Sequence, residues 1–179
     1  MFNTSTIAAV VVVLALSVTS VASAQEAKPS PELKKFDIAI GTWQFEGEMK
    51  AAGGTAGTMA GTETFEWLPG GYFMKMTRDA KASFGDFKTL VVYRYDLLTK
   101  AYVATLFHTG GVFETATIAI DGNVWKWAGT GYLGNGTPMH ERCTLTFAPD
   151  GRSMTLACDV STDAKSWAPE LAAKYTKVK

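Results

Sequence analysis

The chain has 179 residues, with 17 acidic and 17 basic side chains that cancel, and two histidines. The charges are scattered rather than clustered, so neither a nucleic acid nor an anionic membrane surface finds an electrostatic footprint to bind. Two histidines without further ligands at metal-site spacing do not predict a mononuclear zinc or iron centre, which needs at least three convergent ligands, and no cofactor is expected.

From the N-terminus, Ile7 to Leu16 is apolar apart from small alanines, and Ser17 to Val21 leads into Ala22-Ser23-Ala24. This is the layout of a secretory signal peptide spanning 1–24, cut between Ala24 and Gln25, although no Lys or Arg precedes the apolar run. An uncleaved anchor is the alternative, disfavoured because a bilayer span needs about 20 apolar residues. The expected mature chain, 25–179, is a single domain large enough to bury a core. It is expected to be periplasmic or secreted, with no membrane attachment once the leader is removed.

Ser30-Pro31-Glu32 supplies a Ser cap, Pro at the first helical position and an acid in the first turn, which predicts one short helix ended by Gly41. From Thr42 the period becomes two, with Trp43, Phe45 and Met49 alternating with polar neighbours. Ala51 to Gly61, rich in Gly, Ala and Thr, reads as a flexible loop. Strands follow at 62–68, 72–78, 87–95, 101–108, 113–120, 124–129, 138–147, 153–160 and 173–178, joined by hairpin-sized turns. About ten strands in hairpin succession predict an all-β, up-and-down antiparallel barrel with one short N-terminal helix. Closure is favoured because an open sheet of that width exposes two edges.

Two hairpins allow the register to be read. Centring one on Asp150-Gly151 puts Phe147 opposite Met154, Leu145 opposite Leu156 and Arg142 opposite Asp159, so like faces like and opposite charges meet. It also puts Cys143 opposite Cys158, and in an exported chain these two cysteines are expected to form a disulfide. Centring the other on Asp121-Gly122 puts Ile118 opposite Trp125 and Ala116 opposite Trp127.

No nucleophile elbow, phosphate-binding loop, dinucleotide fingerprint or calcium loop is present. The chain is instead rich in aromatic and Met surface. Trp43, Phe45, Phe65, Trp67, Tyr72, Met74, Met76, Leu106, Trp125 and Trp127 are expected to line a pocket for a flat or flexible apolar molecule, with a solidly packed interior as the competing expectation. His108 shares its face with Tyr102, Ala104 and Leu106 and is a candidate base or hydrogen-bond partner near a cavity mouth, against the alternative of a strand-end histidine bonded to backbone. His140 shares its face with Arg142, Thr144 and Thr146 and reads as solvent-facing. Arg78 is either the partner of a carboxylate at the barrel mouth or a surface arginine with a snorkelling head group. Tyr93 is a further candidate as a buried tyrosine.

Pro31 to Trp43, with its Gly41-Thr42-Trp43, resembles the helix-to-strand opening of lipocalin-like (calycin) barrels, whose Gly-x-Trp plugs one end. Trp67 to Gly71, Tyr95-Asp96 with Thr99 to Val103, and Ser161 to Trp167 running on to Tyr175 together resemble an uncharacterised bacterial lipocalin-like family, a domain of unknown function found behind signal peptides. The resemblance covers nearly all of the mature chain and implies a ten-stranded barrel with an internal cavity and no assigned chemistry. Nitrobindin-like barrels are similar in the Gly-x-Trp segment and hold haem through a His near the C-terminus, but no histidine follows His140 here. The expected function is uptake of a small apolar or amphipathic molecule. The alternatives are a cofactor-free isomerase, cyclase or lyase using His108, Arg78 or Tyr93, or a haem or nitric-oxide binder.

Overall fold

The computed structural model describes residues 28–50 and 56–179. The signal-peptide reading of 1–24 and the first part of the Ala51 to Gly61 loop fall outside the described residues. The N-terminal helix, Pro31–Ala39, is a 3₁₀ helix with Ser30 as its cap. Ten strands follow: β1 (Gly41–Lys50), β2 (Ala56–Trp67), β3 (Phe73–Ala82), β4 (Phe87–Asp96), β5 (Ala101–His108), β6 (Phe113–Asp121), β7 (Val124–Tyr132), β8 (Pro138–Phe147), β9 (Ser153–Ser161) and β10 (Ala168–Lys177). Each pairs antiparallel with its neighbour in sequence, and β1 pairs with β10 to close the barrel. Among the described residues no edge strand is left to pair with another chain.

Alternation sorts the side chains. Trp43, Phe45, Phe65, Met74, Met76, Val91, Ile118, Trp125, Leu145 and Leu156 point inward into one core, while their sequence neighbours are wet. The helix stoppers one end. Phe36 is fully buried and meets the rings of Trp67, Tyr93, Tyr102 and Trp125, each at a tilted or edge-on angle, the geometry aromatic pairs favour. Trp43 donates its indole N–H to the Ala39 carbonyl at 2.8 Å, and Tyr102 donates its hydroxyl to Glu32 at 2.6 Å. These bonds tie both ends of the helix to the barrel wall.

Several expected strand limits are corrected, and the strand expected at 124–129 runs on to Tyr132. Ala56 to Gly61 is not loop but the first half of β2. Of its inward positions only Met59 carries a large side chain; Gly57 and Gly61 lie so close to their β3-side neighbours that a side chain there would collide, which leaves the apolar period weak. The strand expected to end at Arg78 continues to Ala82, with the small inward Ala80 again giving little signal. The last strand begins at Ala168, and a bulge between Pro169 and Leu171 interrupts its two-residue pattern.

The Asp150 hairpin has the expected register throughout, including Cys143 opposite Cys158, which are joined in a disulfide. At the other hairpin the pairs are Ile118 with Trp127 and Ile120 with Trp125, two residues from the expected register. The central residues of that turn are Gly122 and Asn123, with Asp121 facing Val124, and Gly122 takes a left-handed φ of 55°. Gly at the first central position suits a type II′ turn. A slip of two preserves the faces, so both indoles still point inward.

Candidate functional site

The barrel interior has two parts. Towards the helix it is packed solid. Beyond that lies a cavity of about 80 Å³, which shares Arg78, Leu106, Glu114, Glu141 and Leu171 with a mouth of about 510 Å³ at the far end. A larger hollow of about 850 Å³ on the outer wall is open to solvent and flanked by Glu46, Glu48, Lys81 and Lys174. It encloses nothing, and the interior is therefore the site.

A polar cluster crosses the middle of the barrel. Glu63 of β2 and Arg78 of β3 are cross-strand partners, and Tyr175 of β10 donates its hydroxyl to Glu63 Oε1 at 3.0 Å. Burial works against the Arg78 charge, but the Glu63 carboxylate, with Tyr175 and Tyr93 adding to it, raises its pKa above the ordinary value. Burial and the negative charge of Glu63 push both Tyr175 and Tyr93 well above the usual tyrosine range. Arg78, Tyr93 and Tyr175 do not titrate near neutrality.

At the floor of the mouth stand three carboxyl groups from three strands, Glu114 of β6, Glu141 of β8 and Glu170 of β10. The Glu141 carboxyl is within hydrogen-bond reach of both others. The ladder explains the convergence. Glu141 faces Gly129 of β7, and a side chain on Gly129 would collide with the Glu114 carboxyl, so a missing Cβ lets two acids meet across an intervening strand. Glu170 sits in the β10 bulge beside inward Leu171, and a bulge re-aims a side chain in this way. Glu114 is only 3 % exposed, and its Oε1 is buried with no hydrogen-bond partner. Burial, then repulsion from Glu141, pushes Glu114 up to about 9. Burial, then Glu141, pushes Glu170 up to about 7, and burial raises Glu141 as well.

His108 lines the mouth. Its Nδ1 accepts the Gly110 backbone N–H at 2.9 Å, and its ring lies 4.9 Å from that of Phe87. Burial, and then the Arg78 charge, lowers its pKa. The imidazole is therefore neutral at pH 7 and carries its proton on Nε2.

Of the residues expected to line a pocket, Phe65, Met76, Leu106 and Trp127 surround the smaller cavity together with Arg78 and Tyr93. Trp43, Met74 and Trp125 are core beneath it. Phe45 packs on Tyr175 at 5.3 Å and lies under the Arg78 guanidinium. Trp67 rests on Phe36 and donates to Asp37 at 3.0 Å. Tyr72 is 38 % exposed and precedes β3, so it does not join them. His140, paired with Thr130 on the outer face, takes no part.

The sequence reading missed Glu63, Glu114, Glu141, Glu170 and Tyr175. For three of them a signal was present, since Glu63 shares parity with Phe65, Glu114 with Ile118, and Glu141 with Cys143 and Leu145. An acid interrupting an otherwise apolar face marks a buried charge. Glu170 carried no such signal, because the bulge breaks parity.

Among the described residues, the side chains at metal-ligand spacing are Glu141, Cys143 and Cys158. The two sulfurs are bonded to each other, which removes them as thiolate ligands.

A family profile described as "Protein of unknown function (DUF1579)" matches residues 28–177. No curated protein matches. Among solved structures, Rv2717c from M. tuberculosis is similar with a TM-score of 0.63 at 16% identity, over 85% of this chain and 100% of that one. The S-type phycobiliprotein lyase CPES from Guillardia theta is similar with a TM-score of 0.53 at 9% identity, over 82% of this chain and 92% of that one. At such identities the likeness is one of fold.

Proposed function

The chain belongs to the DUF1579 family, described as of unknown function, and we propose that it takes up a small amphipathic molecule through the open end of its barrel. The observation that carries this reading is the mouth of about 510 Å³, whose walls include Met49, Phe84, Phe87, Leu133 and Met139 while its floor is polar and buried. An apolar tail gains roughly 25 cal/mol for each Å² it hides against such walls, and a few convergent polar groups orient the head. The cavity below is too small for more than the tip of a ligand.

The disulfide fits an oxidising compartment, and we place the mature protein outside the cytoplasm, cut after Ala24. Intact mass of the protein recovered from its native host tests this part, since a chain that still carries residues 1–24 would refute it.

Native mass spectrometry of that material, followed by calorimetric titration with tail-matched eight-carbon probes, tests the uptake. One bound molecule per barrel is expected. Absence of any occupant and of binding by every probe would end the proposal.

A second reading rests on Glu170. A carboxyl held at about 7 and a histidine that line one mouth suit general acid–base chemistry, and a solved barrel of similar fold carries the name lyase. Conversion of the co-purifying molecule by wild type and its loss in Glu170→Gln would favour this reading over simple carriage.

A further inference from the structure

The mouth is short of positive charge. Arg78 is the cation within its lining, and that guanidinium is already engaged, with both Nε and Nη2 on Glu63 Oε1. Glu141 therefore meets Glu114 and Glu170 with no ion pair of its own, and Arg78 acts on Glu141 and Glu170 only through space. The groups that surround them are Glu63 from β2, Arg78 from β3, Tyr93 from β4, His108 from β5, Tyr175 from β10 and Asp86 at the rim. There β1, β7 and β9 present Met49, Trp127 and the disulfide-bonded Cys158, none of which titrates. Neutral His108 adds no positive charge.

Clustered buried carboxyls have two ways to relieve their repulsion, protonation or a cation seated between them. Without a ligand the cluster takes the first, which is why its members hold protons so far above the ordinary carboxyl range. Trp127 Nε1 donates to Glu141 Oε2 at 3.3 Å, but the buried Oε1 of Glu114 has no partner, so protein donors do not complete the cluster.

We infer that the head group received here is a primary ammonium, so that the natural ligand is a cationic amphiphile whose nitrogen seats among Glu114, Glu141 and Glu170 while its tail lies along the apolar wall. This rests on the uptake of an amphipathic molecule at the mouth proposed above and adds the chemistry of its head. An ammonium has three donors and no acceptor, and one seated against Glu141 lies next to the two carboxyls that Glu141 already reaches, Glu114 and Glu170. As it enters, the protons it displaces from the carboxyls leave to solvent, and the N–H···O bonds that form are charge-assisted, the stronger class. A carboxylate head would bring negative charge to a floor that keeps protons rather than carry its own, and a hydroxyl head would gain only neutral hydrogen bonds.

The test is calorimetric titration of the whole mature protein at pH 7 with octylamine, octan-1-ol and octanoate, which share a tail and differ in head. Octylamine is expected to bind about tenfold or more tightly than octan-1-ol, with octanoate the weakest. Glu170→Gln, at the wetter side of the cluster, is expected to cut octylamine affinity about tenfold and to leave octan-1-ol within about twofold. Octanoate binding as tightly as octylamine, or Glu170→Gln weakening all three probes alike, would overturn the ammonium assignment and leave uptake standing. Failure of all three to bind wild type would remove both. The wild-type ranking is decisive by itself should the variant not fold.

Discussion

Glu63 and Arg78 face each other across β2 and β3, with Oε1 of the acid 2.6 Å from both Nε and Nη2 of the arginine. Each would be untenable alone at that depth, since an unpaired buried charge costs several kcal/mol and a paired one far less. The pair divides the barrel into a dry half sealed by the helix and a half that opens to solvent.

Arg78→Met is expected to destabilise by about 3–5 kcal/mol, because it strands the Glu63 carboxylate with only the Tyr175 hydroxyl. The double replacement Glu63→Leu with Arg78→Met should recover most of that loss, as paired apolar replacements of buried ion pairs do. Urea unfolding at pH 7 checks both, and a double variant no better than Arg78→Met would show that the charge pair is not the source of the cost.

Stability is expected to decline towards alkaline pH. In the unfolded chain Glu114 and Glu170 titrate near the ordinary 4.5, and in the folded barrel near 9 and 7. Between these values the folded state binds more protons than the unfolded one, so unfolding free energy falls as pH rises. The contribution is whole below about pH 4.5 and is lost as pH passes through 7 to 9. A drop of at least ~1 kcal/mol between pH 6 and pH 9 is expected, flattened in Glu114→Gln. Stability that increases over this interval would contradict the protonated cluster.

The disulfide closes a loop of sequence separation 15. Replacing both cysteines by Ala should cost about 3 kcal/mol on the loop-entropy account, with the fold retained because the flanking pairs Leu145 with Leu156 and Arg142 with Asp159 hold the same register. Thiol titration of the denatured, unreduced protein should find no free thiols, and finding two would dispose of the bridge.

Phe36→Ala should cost about 3–5 kcal/mol, the range for deleting a buried aromatic ring, since four aromatic rings surround it. Octylamine binding should survive in the folded fraction, because the mouth lies at the other end of the barrel. Loss of binding in step with loss of stability would mean that the two ends are not independent.

How far alternation carries a reading depends on what stands at the inward positions. Where large apolar residues alternate, as in Leu145 and Phe147 against Met154 and Leu156, faces and register both followed from the residues themselves. Where Gly61 and Ala80 occupy the inward positions the alternation is real but has no amplitude, and a strand looked like a loop. Tyr72 shares parity with Met74 yet stands outside the strand, where parity has no meaning.

The candidate site was less legible. Arg78 was weighed as a surface group because a lone arginine on an apolar face has no visible partner in sequence, and Glu63, its partner, lies 15 residues away across a ladder. Single acids such as Glu114 and Glu141 each look like an exposed strand residue until three of them are placed at one opening.

By itself the sequence determined the barrel, the inward faces of most strands and the joined cysteines, because two-residue periodicity and turn chemistry are local and act wherever the chain is extended. Only the tertiary structure decided where the interior stays hollow and what charge lines it. Those depend on closure, which brings Glu114, Glu141 and Glu170 together from strands that are not neighbours, and on a bulge and a missing Cβ whose effects appear only once the strands lie side by side.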